Sequence, residues 1–183
     1  MPFTHHTAQT APGAARPTMA TIEGKFGFLP APVALMSESP ELLQAFTRSN
    51  ALFERSTLTE LEREVLVLTI ATRNECHVCV ALHTASLTRA AAPEQLVTDL
   101  RSRQPLSDPR LEAIRRFTLE VLDAAGGVDE AQMQAFLDHG FTRRNALEVV
   151  LGVGTYTLST FANRMTEAPL DPPFAPFAWD GAA

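Results

Sequence analysis

Cysteine is nearly absent from the chain: its 183 residues include two, Cys76 and Cys79. With two residues between them they close only a tiny loop and tie no distant elements together, which excludes a disulfide scaffold. An excess of positive charge is also missing. Fifteen Lys and Arg stand against 21 Asp and Glu, a net charge of −6. Such a chain has no basic face for neutralising phosphates, which excludes nucleic-acid partners and a polybasic membrane-surface role. Long apolar runs are lacking too. The nearest candidate, Val149 to Ala162, is rich in Gly, Ser and Thr. It falls short of the ~20 apolar residues that span a bilayer and reads as a buried helix. The start, Met1-Pro-Phe-Thr-His-His, has neither the basic beginning nor the apolar stretch of a secretory signal, so a cytoplasmic location is expected.

What is present suits one domain. Apolar types make up 45% of the residues, enough to bury a core. Residues 1–20 carry Pro2, Pro12, Gly13 and Pro17 with little apolar content and read as a flexible arm. Residues 21–168 read as a helical domain. Residues 169–183 hold four prolines, two phenylalanines and Trp179, and such an aromatic tail is expected to dock on its own domain or a neighbouring subunit. Within the domain the apolar spacing is helical, and start signals recur. Pro40 opens a segment with Leu42, Leu43 and Phe46. Thr59-Glu60-Leu61-Glu62 is a capping box. Asp108-Pro109 pairs an N-cap with proline at the first helical position. Asp129 and Thr142 start two further helices, the last running to about Met165. No stretch alternates with the period of a strand. The spacing therefore predicts an all-α fold of six or seven helices.

The chemistry is concentrated between Glu64 and His83. Cys76, Cys79 and His83 stand at i, i+3 and i+7, on one face of a helix. Cys76 falls at the start of that helix, where unpaired N–H groups and the positive end of the dipole favour a thiolate. His83, one turn beyond Cys79, is placed to take a thiol proton and return one to a leaving group. Glu64 sits in the apolar stripe Leu61, Val67, Leu68 and Ala71, where a carboxylate needs a partner. If the two helices pack antiparallel, it could face the histidine. Two bland readings stand beside this one: a pair of core cysteines, or a zinc site built on Cys76, Cys79 and His83 but short of a fourth ligand. Gly152 and Gly154 interrupt the last helix and point to close approach of another helix, the cysteine helix among the candidates. Tyr156 and Asn163 are polar residues in that otherwise apolar segment; for Tyr156 a buried, satisfied hydroxyl is the commoner case.

The run of Glu64, eleven residues, Cys76-His77-Val78-Cys79, three residues and His83 resembles the active-site signature of the alkylhydroperoxidase AhpD-like proteins of the carboxymuconolactone decarboxylase superfamily. The resemblance extends from Phe28-Leu29-Pro30 to Pro169-Leu170-Asp171 and is nearest to the peroxidase-related branch. It implies an all-α homo-oligomer that needs no bound cofactor or metal. It implies that Cys79 is the peroxide-attacking thiolate, Cys76 the resolving thiol, and Glu64 with His83 a proton relay. Its substrates would be a hydroperoxide and an external dithiol or disulfide reductant. Where some members have a histidine directly before the second cysteine, this chain has Val78, so His77 is read as a solvent-facing neighbour. A thiol–disulfide oxidoreductase without peroxidase activity, a redox- or zinc-sensing assembly protein and a lyase for a small acid are the alternatives. The decarboxylase branch typically lacks the cysteine pair.

Overall fold

The helix from Glu60 to Arg73 organises the molecule. From Val65 to Thr72 every residue is buried, so this helix is wrapped on all sides. Its two threonines satisfy their hydroxyls internally, Thr69 on the Val65 carbonyl and Thr72 on that of Leu68. In the computed structural model, which describes residues 3–181, it is one of nine α-helices, and the other eight surround or flank it. The nine are α1 (Arg16–Phe26), α2 (Ala31–Met36), α3 (Pro40–Phe53), α4 itself, α5 (His77–Arg89), α6 (Glu94–Arg101), α7 (Pro109–Asp123), α8 (Glu130–Asp138) and α9 (Arg143–Met165). A 3₁₀ turn follows at Pro172–Phe177. Helix α4 packs on α5, α6, α7 and α9. Among the described residues no helix is long and apolar enough to cross a membrane.

The capping signals act where the sequence puts them. Thr59 and Glu62 close a reciprocal box on α4, Asp108 accepts from the amides of Arg110 and Leu111, and Thr142 boxes with Asn145 on α9. The helix count exceeds six or seven because α1, α2 and α6 are short or proline-bearing. Pro32 lies in the first turn of α2, where its missing N–H costs nothing.

The expected flexible arm over residues 1–20 needs correction in the described part. Ala11, Ala15 and Met19 are buried in an apolar cluster with Met36, Leu43 and Ala162. His6 is buried as well, with Nε2 2.9 Å from Glu38. Spaced i, i+4, i+8, the three apolar residues form a stripe too sparse to read beside three prolines. The tail is docked on the domain. The Trp179 indole donates to the Arg101 carbonyl at 3.1 Å, and the Arg101 guanidinium holds the carbonyls of Phe177 and Ala178. Asp171 accepts from the Ala31 amide at the start of α2.

Candidate active site

A three-residue turn, Asn74-Glu75-Cys76, joins α4 to α5 and sets the site. Glu75 adopts a left-handed backbone (φ 55°), a conformation that costs a non-glycine residue about 1 kcal/mol or more and persists only when braced. The braces are visible. Arg164 of α9 donates to the Asn74 carbonyl at 2.8 Å, the Asn74 amide donates to Thr160 at 2.9 Å, and Arg103 donates to the Thr72 carbonyl at 2.5 Å. The turn thereby delivers Cys76 to the N-cap of α5 and folds α5 back on α4.

The folded-back pair brings Glu64 and His83 together. His83 Nδ1 lies 2.8 Å from a Glu64 carboxylate oxygen, with only 12% and 20% of the side chains exposed. The carboxylate in the apolar stripe thus has the partner that its surroundings demand. A carboxylate on Nδ1 fixes the ring orientation and leaves Nε2 for proton exchange. The imidazole also meets the Tyr156 ring edge-on, centroids 5.3 Å apart. The Tyr156 hydroxyl donates to Asn50 at 2.8 Å, so the commoner reading of this tyrosine holds, yet the residue also walls the site. Burial first, then the nearby Glu64 charge, pushes its phenol far up, and it stays neutral.

Cys76 and Cys79 are free, with Sγ atoms 2.7 Å apart, against about 2.05 Å for a disulfide bond. The two thiols are driven apart in acidity. The hydrogen bond shared with Cys79 lowers the Cys76 thiol, with further help from the Cys79 backbone amide, Asn163 and the His83 charge, and together these outweigh burial. The same shared bond, burial and the like charge of Cys76 push the Cys79 thiol well up. Two residues of α9 counteract this: the Asn163 amide donates to Cys79 Sγ at 3.2 Å, and the Ser159 hydroxyl lies 3.9 Å from it. Among the described residues, Asn163 Oδ1 is buried without a partner.

A cavity of about 1130 Å³ opens over the pair, between α1–α3 on one side and α4, α5 and α9 on the other. Cys79, His83, Glu64, Tyr156, Ser159 and Asn163 line its reactive end, and Cys76 is not among the lining residues. His77 is exposed. Among the described residues, no group of three or more His, Cys, Asp or Glu side chains is arranged to hold a metal ion. Sequence reasoning missed Ser159 altogether and the contact of Asn163 with sulfur. The signal was there: polar residues at 156, 159, 160 and 163 mark one face of an otherwise apolar helix. The glycines also need correction. A Cβ on Gly152 would meet Phe53 of α3 and Leu66 of α4 at 2.7 Å, so the close approach there involves those helices and not the cysteine helix.

The helical fold is AhpD-like. Residues 40–120 match the model of the carboxymuconolactone decarboxylase family. Solved structures share its architecture. The alkylhydroperoxidase AhpD core of an uncharacterized peroxidase-related protein from Ralstonia eutropha JMP134 is 24% identical, with a TM-score of 0.81 over 94% of this chain and 93% of that one. An uncharacterized peroxidase-related protein from Silicibacter sp. TM1040 is 22% identical, with a TM-score of 0.76 over 90% and 88%. The debrominase Bmp8, solved in complex with 2,3,4-tribromopyrrole, is 13% identical, with a TM-score of 0.73 over 90% and 89%. No curated protein matches the chain.

Proposed function

We propose that the chain is a thiol-dependent peroxidase that reduces an organic hydroperoxide with its Cys76–Cys79 pair. One observation carries the reading. Cys79 sits on the cavity wall with a second sulfur 2.7 Å away, and the Glu64–His83 pair lines the same cavity. That is the set a two-thiol peroxidase requires: a sulfur that a small molecule can reach, a second one to resolve the product, and a proton carrier. Exchange with a protein disulfide fits less well, because Cys79 is only 5% exposed.

The steps balance as follows. His83 takes one proton from the dithiol, leaving one negative charge and one proton shared between the sulfurs. Cys79 Sγ attacks the terminal oxygen of the hydroperoxide. An S–O bond forms, the O–O bond breaks, and the shared proton settles on Cys76. The leaving alkoxide takes the proton held by His83 and departs as the alcohol. His83 then takes the Cys76 proton, and the Cys76 thiolate displaces hydroxide from the Cys79 sulfenic acid. The hydroxide leaves as water with the proton from His83. Two thiols have given two electrons to one peroxide, and an external dithiol restores the pair. Asn163 serves the first step, since its N–H holds negative charge on Cys79 as that sulfur attacks.

The test is peroxide consumption by the reduced protein with a dithiol donor, together with mass spectrometry of the product. Turnover, a Cys76–Cys79 bridge after one equivalent of peroxide, and loss of turnover in Cys79→Ser support the reading. Unchanged turnover in Cys79→Ser overturns it.

A further inference from the structure

Three polar side chains of α9, Tyr156, Ser159 and Asn163, share the helix face that closes the reactive end of the cavity. Two of them are committed within the chain. The Tyr156 hydroxyl donates to Asn50 at 2.8 Å, and the Asn163 amide donates to Cys79 Sγ at 3.2 Å. Ser159 differs. It is only 6% exposed, and the sole partner of its hydroxyl among the described residues is Cys79 Sγ, at 3.9 Å. A hydroxyl bond to oxygen measures about 2.5–3.0 Å, so this contact is slack even allowing for the larger sulfur atom.

The helix itself does not account for the slack. A buried hydroxyl in a helix commonly turns to the carbonyl one turn back. Helix α9 does this twice, with Thr155 on Leu151 and Thr160 on Tyr156, each at 2.8 Å. Among the described residues Ser159 makes no such bond, and its hydroxyl stays at the cavity wall beside the sulfur. A buried donor held so loosely by its own chain suits an oxygen atom that arrives with a ligand.

We propose that Ser159 is a further catalytic residue, whose hydroxyl donates to the terminal oxygen of the hydroperoxide, the atom that Cys79 attacks. The proposal rests on the peroxidase reading and adds a residue that lies beyond the matched segment 40–120. The distances allow it. An oxygen about 3.2 Å from Cys79 Sγ, a separation suited to attack, and about 2.8 Å from Ser159 Oγ closes a triangle on the 3.9 Å side, and the two lines meet at that oxygen at roughly 80°. The hydroxyl thus reaches the attacked oxygen from the side. The far side stays free for the O–O bond, which breaks in line with the sulfur. Ser159 keeps its own proton throughout. Its O–H points at an oxygen through which negative charge passes from sulfur to the leaving alkoxide, and a fixed donor in a buried site stabilises such charge better than water does. Asn163 cannot take this part while its N–H is engaged by the sulfur.

The test compares two reactions of one sulfur in the full chain. In a Cys76→Ser parent, Cys79 is the only thiol. Its rate with cumene hydroperoxide, read by trapping the sulfenic acid with dimedone, is divided by its rate with iodoacetamide. Both reactions need the thiolate, so the ratio cancels any change in Cys79 ionisation, and iodoacetamide has no peroxide oxygen for Ser159 to hold. Adding Ser159→Ala should lower the ratio roughly 10- to 100-fold, less than the roughly 10²–10³ of a full oxyanion donor because the charge is spread over three atoms. Ser159→Thr keeps the hydroxyl and should hold the ratio within about threefold of the parent. Helical circular dichroism of both variants should match the parent. A Ser159→Ala ratio within about threefold of the parent overturns the proposal, as does a Ser159→Thr ratio that falls as far as that of Ser159→Ala, which marks packing and not donation. A parent that alkylates but does not react with the hydroperoxide overturns the peroxidase reading and this proposal together; a parent that reacts, beside a Ser159→Ala that reacts equally, overturns this proposal alone.

Discussion

Replacing Glu64 by glutamine is the sharpest test of the proton relay, because it changes charge and little else. The carboxylate lies 2.8 Å from His83 Nδ1, and both side chains are mostly buried. An amide oxygen at the same place still accepts from Nδ1–H, so ring orientation and tautomer survive. What disappears is the charge-assisted part of the bond. Hydrogen bonds to charged groups contribute about 1.5–3 kcal/mol, and neutral ones about half as much. Taking the loss as roughly 0.75–1.5 kcal/mol of support for the protonated imidazole, and 1.36 kcal/mol per factor of ten in rate, Glu64→Gln should slow peroxide reduction roughly 4–13-fold. Glu64→Leu, which also frees the ring, should slow it further, toward the 10²–10⁴-fold that a general acid–base residue supplies. The assay is single-turnover oxidation of the reduced protein, followed by loss of free thiol, with thermal unfolding measured alongside. A Glu64→Gln protein that is folded and reacts within twofold of wild type would refute the relay.

Three further outcomes follow from the same geometry. Cys76→Ser removes the first cause that raises Cys79, so the Cys79 thiolate should form at lower pH than in the wild type; the pH dependence of Cys79 alkylation reads this, and an unmoved or rising profile contradicts it. Gly152→Ala drives a methyl to 2.7 Å from the buried Phe53 ring and Leu66, and overpacking of about 1–3 kcal/mol against a helix gain of about 1 kcal/mol should leave a net loss in guanidinium unfolding; equal or greater stability counts against it. Burial alone would raise Glu148, but the Thr57 amide and hydroxyl, Arg144 and Asn145 more than offset it and hold its carboxyl below the usual value. Stability from Glu148 is therefore present above the unfolded carboxyl value of about 4.3 and lost as pH falls through the lower folded value. Glu148→Gln should be about 1.5–3 kcal/mol less stable near neutrality and converge with wild type in acid; a gap that persists in acid refutes the assignment.

Much of this was legible in the sequence, and the legible parts share a cause. Helix starts at Thr59, Asp108, Asp129 and Thr142 are local events, in which a side chain satisfies amides two or three residues away. The placing of Cys76, Cys79 and His83 on one helix face is equally local, and Glu64 betrayed itself by standing in an apolar stripe. The features that escaped notice depend on distant chain. Helix α2 is six residues long and wholly buried, so its stability comes from its neighbours and not from its own propensities. The segment before α1 packs through small residues whose spacing is visible only once α2 and α3 offer a surface. Asn163 was noticed as polar, yet its contact with Cys79 depends on how α9 crosses α5, and no local pattern encodes that crossing.

Helix α9 unites these themes because its two faces differ. At 100° per residue, Tyr156, Ser159 and Asn163 fall about 180° around the axis from the exposed Val150, Leu158 and Phe161. The cavity and the bare apolar side therefore lie on opposite sides of one helix, separated by its thickness of about 10 Å. The braces at the cysteine turn come from the same helix: Thr160 holds the Asn74 side chain and Arg164 the Asn74 carbonyl. One helix thus carries both the residues that brace the cysteine turn and the amide that holds Cys79, so a substitution that displaces α9 should disturb the turn and the sulfur together.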